Sequence, residues 1–160
     1  MAFPPDFETL ADTRLFIKAG RPTDNTEAAF ETHFTADSLE FTITQVGVIE
    51  GREYNTAELD VVNQGQVRRK LGNYALPQSE WAIVGDDGDE AYEAARLAMQ
   101  TKDVVSFAAV RQSGAVLYWT AQVMNLTDSG GGSNDSLTYA MTLLFQSEAL
   151  KAVTPVVPTV

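Results

Sequence analysis

The sequence predicts a mainly β domain, an antiparallel β-sandwich or barrel with one flanking α-helix, a long inter-strand loop and extended termini. Three observations carry this. Leu117, Trp119, Ala121 and Val123 alternate with Tyr118, Thr120, Gln122 and Met124, and Leu137, Tyr139, Met141, Leu143 and Phe145 repeat that period of two, so each run reads as a half-buried strand. Between Ser79 and Gln146 the period passes from two to about 3.6 and back, which marks strand, helix, strand. Seven or so strands with a single helix suit a barrel or a two-sheet sandwich partly closed by that helix.

Taken in order, residues 1–12 hold two prolines and three carboxylates around Phe3, Phe7 and Leu10, the composition of an extended arm. Fully spread, the arm reaches about 40 Å at ~3.3 Å per residue. The β domain then spans 13–149 and a tail spans 150–160. Arg14 to Ala19 reads as a short strand ended by Gly20-Arg21-Pro22, and Thr23 to Glu31 as a loop or a short helix. From Glu31 to Glu50 the chain reads as extended, with Leu39, Phe41 and Ile43 alternating against Glu40, Thr42 and Thr44.

Gly47 to Gln66 mixes charge, glycine and isolated apolar residues with neither period. It reads as a long structureless excursion between two paired strands, of a length usually tied to function or disorder. The dense basic cluster Arg68-Arg69-Lys70 begins the returning strand, Gly72 to Gln78 is turn-forming, and Trp81, Ile83 and Val84 lie on the next strand.

The helix is predicted from about Asp89 to Thr101, with Asp87 as its cap and Glu90 as the far member of a capping box. Ala91, Ala94, Ala95 and Ala98 form a small-residue stripe that can lie close against a sheet. Gln112-Ser113-Gly114 is a three-residue hairpin turn, and Thr127 to Asp135 a polar loop that protrudes. In the tail, Pro155 and Pro158 space out Val153, Val156, Val157 and Val160, as in a segment that is disordered or docked on a neighbour.

The formal charge is −11 and the isoelectric point near 4.3. Binding nucleic acid by phosphate neutralisation needs a basic footprint and is excluded. With no cysteine and one histidine, His33, the chain lacks the parts of most nucleophilic enzymes, and His33 reads as a strand or loop residue that titrates. No enzymatic activity, cofactor or metal is expected. Asp86-Asp87-Gly88-Asp89-Glu90 lacks calcium-loop spacing and is a helix start, and Gly130-Gly131-Gly132 lacks the lysine and helix of a phosphate cradle. The sequons at Asn125 and Asn134 have meaning only on a secretory route, for which there is no leader.

The order of these parts, with SEWAIVGDDGDEAYEAARLAM leading into the helix and VVSFAAV, VLYWTAQVMN and SLTYAMTLLFQSEAL forming the meander, resembles the tail tube protein (major tail protein) family of long, flexible-tailed bacteriophages, the lambda-type group. The resemblance covers residues 40–150 and lies in arrangement rather than in invariant residues. It implies a structural subunit of a phage tail, six copies to a ring, with rings stacked into a tube through which the genome passes. The partners implied are other copies of the chain, the tail tip or baseplate, the tape measure and the tail terminator. DNA passes without specific binding, and no membrane is involved. The implied location is the phage tail, assembled in the host bacterial cytoplasm.

Contacts between rings would fall on the arm, the long loop and the tail, which here means Phe3, Phe7, Glu50, Arg52, Glu53, Tyr54, Arg68, Arg69, Lys70, Val156 and Val157. The basic cluster reads as meeting acidic neighbours such as Glu50 or Glu53 of another subunit, with contact to DNA as the alternative. Because the chain stops at Val160, the C-terminal immunoglobulin-like decoration of the lambda member is expected to be absent. An acidic lumen would keep phosphates from adhering to the wall. Three other readings stand beside this one: a tail terminator, a tube subunit of a contractile secretion machine, and a monomeric barrel that binds a small ligand through its aromatics.

Overall fold

A computed structural model describes residues 9–61, 65–85 and 88–160. Six strands close into an antiparallel barrel: β1 (Arg14–Lys18), β2 (Leu39–Gln45), β5 (Gln78–Val84), β6 (Val105–Val110), β7 (Val116–Asp128) and β8 (Thr138–Phe145). Their order around the barrel is β6-β1-β2-β5-β8-β7, and the pairing of β6 with β7 closes it. The mainly β expectation is met, as are the polar loop, exposed over 129–137, and the three-residue turn, where Gly114 takes φ 88°.

The inward positions are filled with rings. Trp119 stacks on Phe107, Phe145 and Trp81 with centroids 5.8, 5.3 and 6.4 Å away, and Met141, Leu143 and Ile83 complete the fill. A ligand-binding barrel needs an interior space, and these side chains occupy it. A cleft of about 380 Å³ between α2 (Glu90–Thr101) and residues 103–105 is open to solvent instead.

α2 closes one mouth of the barrel. Its buried residues Ala91, Ala95 and Ala98 lack bulk, so the helix axis comes close to the strands, and Tyr92 anchors it against Tyr139 at 4.6 Å. Gly85 makes that approach possible, since a Cβ there would stand 2.9 Å from the Tyr92 ring. The cap is Asp89 rather than Asp87, which lies outside the described residues: Asp89 Oδ1 accepts from the backbone N–H of Ala91 at 3.0 Å and of Tyr92 at 3.3 Å. Glu90 is then the first helical residue, too early for the reciprocal bond of a capping box. Asp89→Ala should lower stability by about 1 kcal/mol, measured by chemical denaturation; an unchanged midpoint would mean that the N-terminal turn is satisfied without it.

Four other expectations change. Glu31 to His33 is not extended but the last turn of α1 (Glu27–His33), capped by Thr26, so His33 is helical; burial and Lys18 lower its pKa. Gly47 to Gln66 is not structureless: its second half is β3 (Glu53–Val61), which pairs antiparallel with β4 (Gln66–Ala75). β4 also takes in Gly72 to Ala75, read from sequence as a turn.

β7 is not half-buried throughout, because Val116 to Ala121 is buried on both faces. Its outer face forms a second core, in which Tyr118 lies 5.4 Å from Phe30 and 5.8 Å from Phe34, with Phe16, Ala108 and Val110 beside them. Burial of the Tyr118 hydroxyl pushes its pKa up to about 12.

Nor does the tail leave its own subunit. β9 (Leu150–Lys151) pairs with Leu117 and Tyr118 of β7. Beyond it, Tyr118 Oη donates to the Val156 carbonyl at 3.2 Å, and Ser38 Oγ to that of Thr159 at 2.5 Å. The Thr154 N–H donates to Glu27 at 3.0 Å, and this bond lowers the carboxyl pKa.

Candidate assembly surface

The β3–β4 hairpin leaves the barrel between β2 and β5, and every described side chain in it is exposed. The paired strands put Tyr54, Thr56, Glu58, Val67, Arg69, Leu71 and Tyr74 on one face. Ala57, Leu59, Arg68 and Lys70 share the other. Leu59 and Leu71 are each 63% exposed and Val67 57%. A two-stranded ribbon with apolar side chains in water on both faces is marginal by itself and is the form that a partner would complete.

Charge divides by strand rather than by face. β4 holds Arg68, Arg69 and Lys70 and no carboxylate, on a chain whose formal charge is −11. Arg69 pairs with Glu58 across the ribbon at 2.6 Å.

At the root, Arg52 pairs with Glu148, donates to Tyr54 Oη at 3.1 Å and stands 4.5 Å over the Tyr74 ring. Its hydrogen bonds lower the Glu148 carboxyl from its ordinary value. Glu50 meets Arg111 at 3.4 Å. The root is thus tied to the barrel by ion pairs, while the ribbon beyond it extends free.

The structure therefore gathers Glu50, Arg52, Glu53, Tyr54, Arg68, Arg69 and Lys70 onto one ribbon or its root. Val156 and Val157, 52% and 46% exposed, stand apart on the tail beside α1. Phe3 and Phe7 lie outside the described residues. Sequence reasoning missed Glu58, Leu59, Val67, Leu71 and Tyr74; the alternation of Tyr54, Thr56 and Glu58 was their only local signal.

It also missed the sheet edges. β1 pairs with β2 only at Leu39 to Phe41, so from Thr42 to Gln45 no strand among the described residues pairs β2 on that side. β6 pairs with β7 only as far as Ala121, so from Gln122 to Asp128 β7 has β8 on one side and, among the described residues, no strand on the other. Within the barrel, β2-β5-β8-β7 is thus a four-stranded sheet with an unpaired stretch on each outer strand, and such stretches are templates for pairing with another chain.

No protein-family model and no curated protein matches this chain. Solved structures do. The tube-terminating cap of the anti-feeding prophage has a TM-score of 0.62 at 13% identity, covering 96% of this chain and 95% of that one. The sheath/tube terminator of PVC, an extracellular contractile injection system, has a TM-score of 0.63 at 11% identity, covering 95% and 99%. The SPP1 tail tube has a TM-score of 0.61 at 16% identity, covering 91% and 78%. At these identities the likeness is one of fold: the chain has the fold of tail tube and tube-terminating proteins, and the likeness is not particular to the lambda-type group.

Proposed function

We propose that this chain is a structural, non-enzymatic subunit of a phage tail tube, and that copies join into rings that stack into a conduit for the genome. The observation that carries the reading is the pair of unlike free edges on one sheet, Thr42 to Gln45 of β2 and Gln122 to Asp128 of β7. Pairing the first edge of one copy with the second of the next is a heterologous contact, which generates a ring when its rotation closes. Six copies is the number that the tail tube resemblance implies. The exposed β3–β4 ribbon supports the stacking contact, because its apolar faces and basic strand suit an acidic second copy. The tail tip or baseplate, the tape measure and a terminator are the partners this role requires, in the tail of a long, flexible-tailed phage assembled in the host cytoplasm.

A second reading, a ring that ends a tube instead of extending it, is favoured by the near-complete coverage of the two terminating proteins. Negative-stain microscopy of concentrated protein, with and without a tail-tip seed, separates the two. Hollow tubes with a regular ring repeat are expected; single rings even when seeded would make the chain a terminator, and monomers throughout would end both readings.

A further inference from the structure

Two strands of the barrel carry a register shift, and in both it falls on the stretch left free. β2 slips against β5 between Ile43 and Gln45, and β7 slips against β8 between Val123 and Asn125. The other described pairings around the barrel run without a break. Each shift is a one-residue β-bulge, in which two residues of one strand stand opposite one residue of its neighbour. The extra residues are Thr44 and Met124.

The two bulges have the same form. Ile43 and Val46 pack against the core, and Thr44 and Gln45 between them are both exposed. Likewise Val123 and Leu126 pack against the core, and Met124 and Asn125 between them are both exposed. Side chains of a regular strand alternate between faces, so each bulge breaks the alternation once, at the exposed pair.

That break decides what can pair with a free edge. A straight strand laid along Thr42 to Val46 would agree in face on one side of the bulge and disagree on the other, because a slip of one residue flips every side chain beyond it. A partner with its own bulge at the same level agrees on both sides.

Resting on the ring reading, we infer that the bulges fit one another across the joint between copies and fix its register, with Thr44 and Gln45 of one copy opposite Asn125 and Met124 of the next. Three antiparallel pairings separate β2 from β7 within the sheet, so the two strands run oppositely and the joint continues the antiparallel pattern. In this register Thr42 meets Thr127 on the exposed face, while Ile43 meets Leu126 and Val46 meets Val123 on the core face. Threonine pairs and apolar pairs of this kind stabilise neighbouring antiparallel strands. Sliding the joint by one residue or by two sets a core-facing side chain against an exposed one on at least one side of the bulges.

The chain has no cysteine, so introduced pairs read the register directly. Thr42→Cys with Thr127→Cys puts two thiols opposite one another across the joint, within reach of a disulfide. Mild oxidation of assembled full-length protein should then give a ladder of covalent multimers. Inside one copy the two positions lie on the outer strands of the four-stranded sheet, about 14 Å apart at ~4.8 Å per strand, so the bond can only join copies. Thr42→Cys with Asn125→Cys, two residues out of register, should cross-link at least about tenfold less. The opposite preference would overturn the register, and so would rings that form neither cross-link.

Deletions test the bulges themselves. Removing Thr44 or Met124 leaves the remaining side chains of each strand on their own faces, so the subunit should keep its circular dichroism spectrum and lose rings and tubes. Removing both leaves two straight edges that match again, and assembly should return. Assembly by either single deletion, or a folded double deletion that stays monomeric, would overturn the fit, and the cross-links decide the register even for a deletion that does not fold. Wild-type protein that forms neither rings nor tubes would instead refute the ring reading.

Discussion

Replacing residues 53–75 with a short Gly-Ser turn should leave a folded subunit that no longer stacks into tubes at any concentration. The expectation follows from where the ribbon is anchored. Its described side chains are exposed and none belongs to either core, so removing them takes almost no apolar contact from the barrel. The ties lost at the root are the exposed contacts of Tyr54 and Tyr74 with Arg52, while the Arg52 ion pair with Glu148 stays in place. The thermal midpoint should therefore move by only a few degrees.

Stacking into tubes should instead be lost completely. The ribbon carries Leu59, Val67 and Leu71 in water and the basic β4 of an acidic chain. Circular dichroism and size-exclusion chromatography read the fold, and electron microscopy reads the tubes. Tubes of ordinary length would show that the ribbon is not the stacking contact; an unfolded monomer would show that it belongs to the domain's stability.

Trp119→Ala should have the opposite signature, a loss of about 3 to 5 kcal/mol in folding free energy. That is a large share of the roughly 5 to 15 kcal/mol that holds a domain of this kind together. Trp119 is fully buried at the centre of the stack with Phe107, Phe145 and Trp81. The cavity left by its removal is lined by rings on both β6 and β8, which are held by barrel closure and cannot collapse into it.

Trp119→Phe is the informative companion. The indole Nε1 makes no hydrogen bond, so phenylalanine preserves part of the stacking without orphaning a partner and should cost clearly less. Urea denaturation followed by circular dichroism measures both. A loss below about 1 kcal/mol for the alanine variant would place Trp119 outside the core and reopen the ligand-binding reading.

The contrast between these two regions explains what could be read without coordinates. Periodicity is visible where one face of an element is buried by the chain itself and the other is wet. Leu117 to Val123 and Met141 to Phe145 meet that condition on their inward side, and the helix meets it through Ala91, Ala95 and Ala98. A mainly β domain with one prominent helix was legible for this reason. The β3–β4 ribbon has no buried face within the subunit, so nothing in its own chain imposed a period of two, and it read as a loop. Its residues were found by charge and aromatic content, which is why Glu50, Arg52, Tyr54 and Arg69 were singled out while Leu59 and Leu71 were not.

Tyr118 and Thr120 show the complementary failure. They occupy positions that local alternation assigns to water, yet α1 and the tail, distant in sequence, fold over Tyr118, and Ser147 bonds Thr120 at 3.0 Å. A short helix of seven residues around one buried Phe30 and a proline-spaced tail carry too little pattern to declare that role in advance.

The sequence by itself determined the mainly β antiparallel architecture, the helix beside it, the aromatic inner positions and the strong negative charge, because each follows from composition or from side chains alternating between oil and water. Only the tertiary structure decided that the sheet closes into a barrel, that the long loop is a ribbon, that the tail is bound at home, and that β2 and β7 leave unlike edges. Those depend on where one strand stops pairing with another, and backbone pairing leaves no mark on the identity of the side chains it joins.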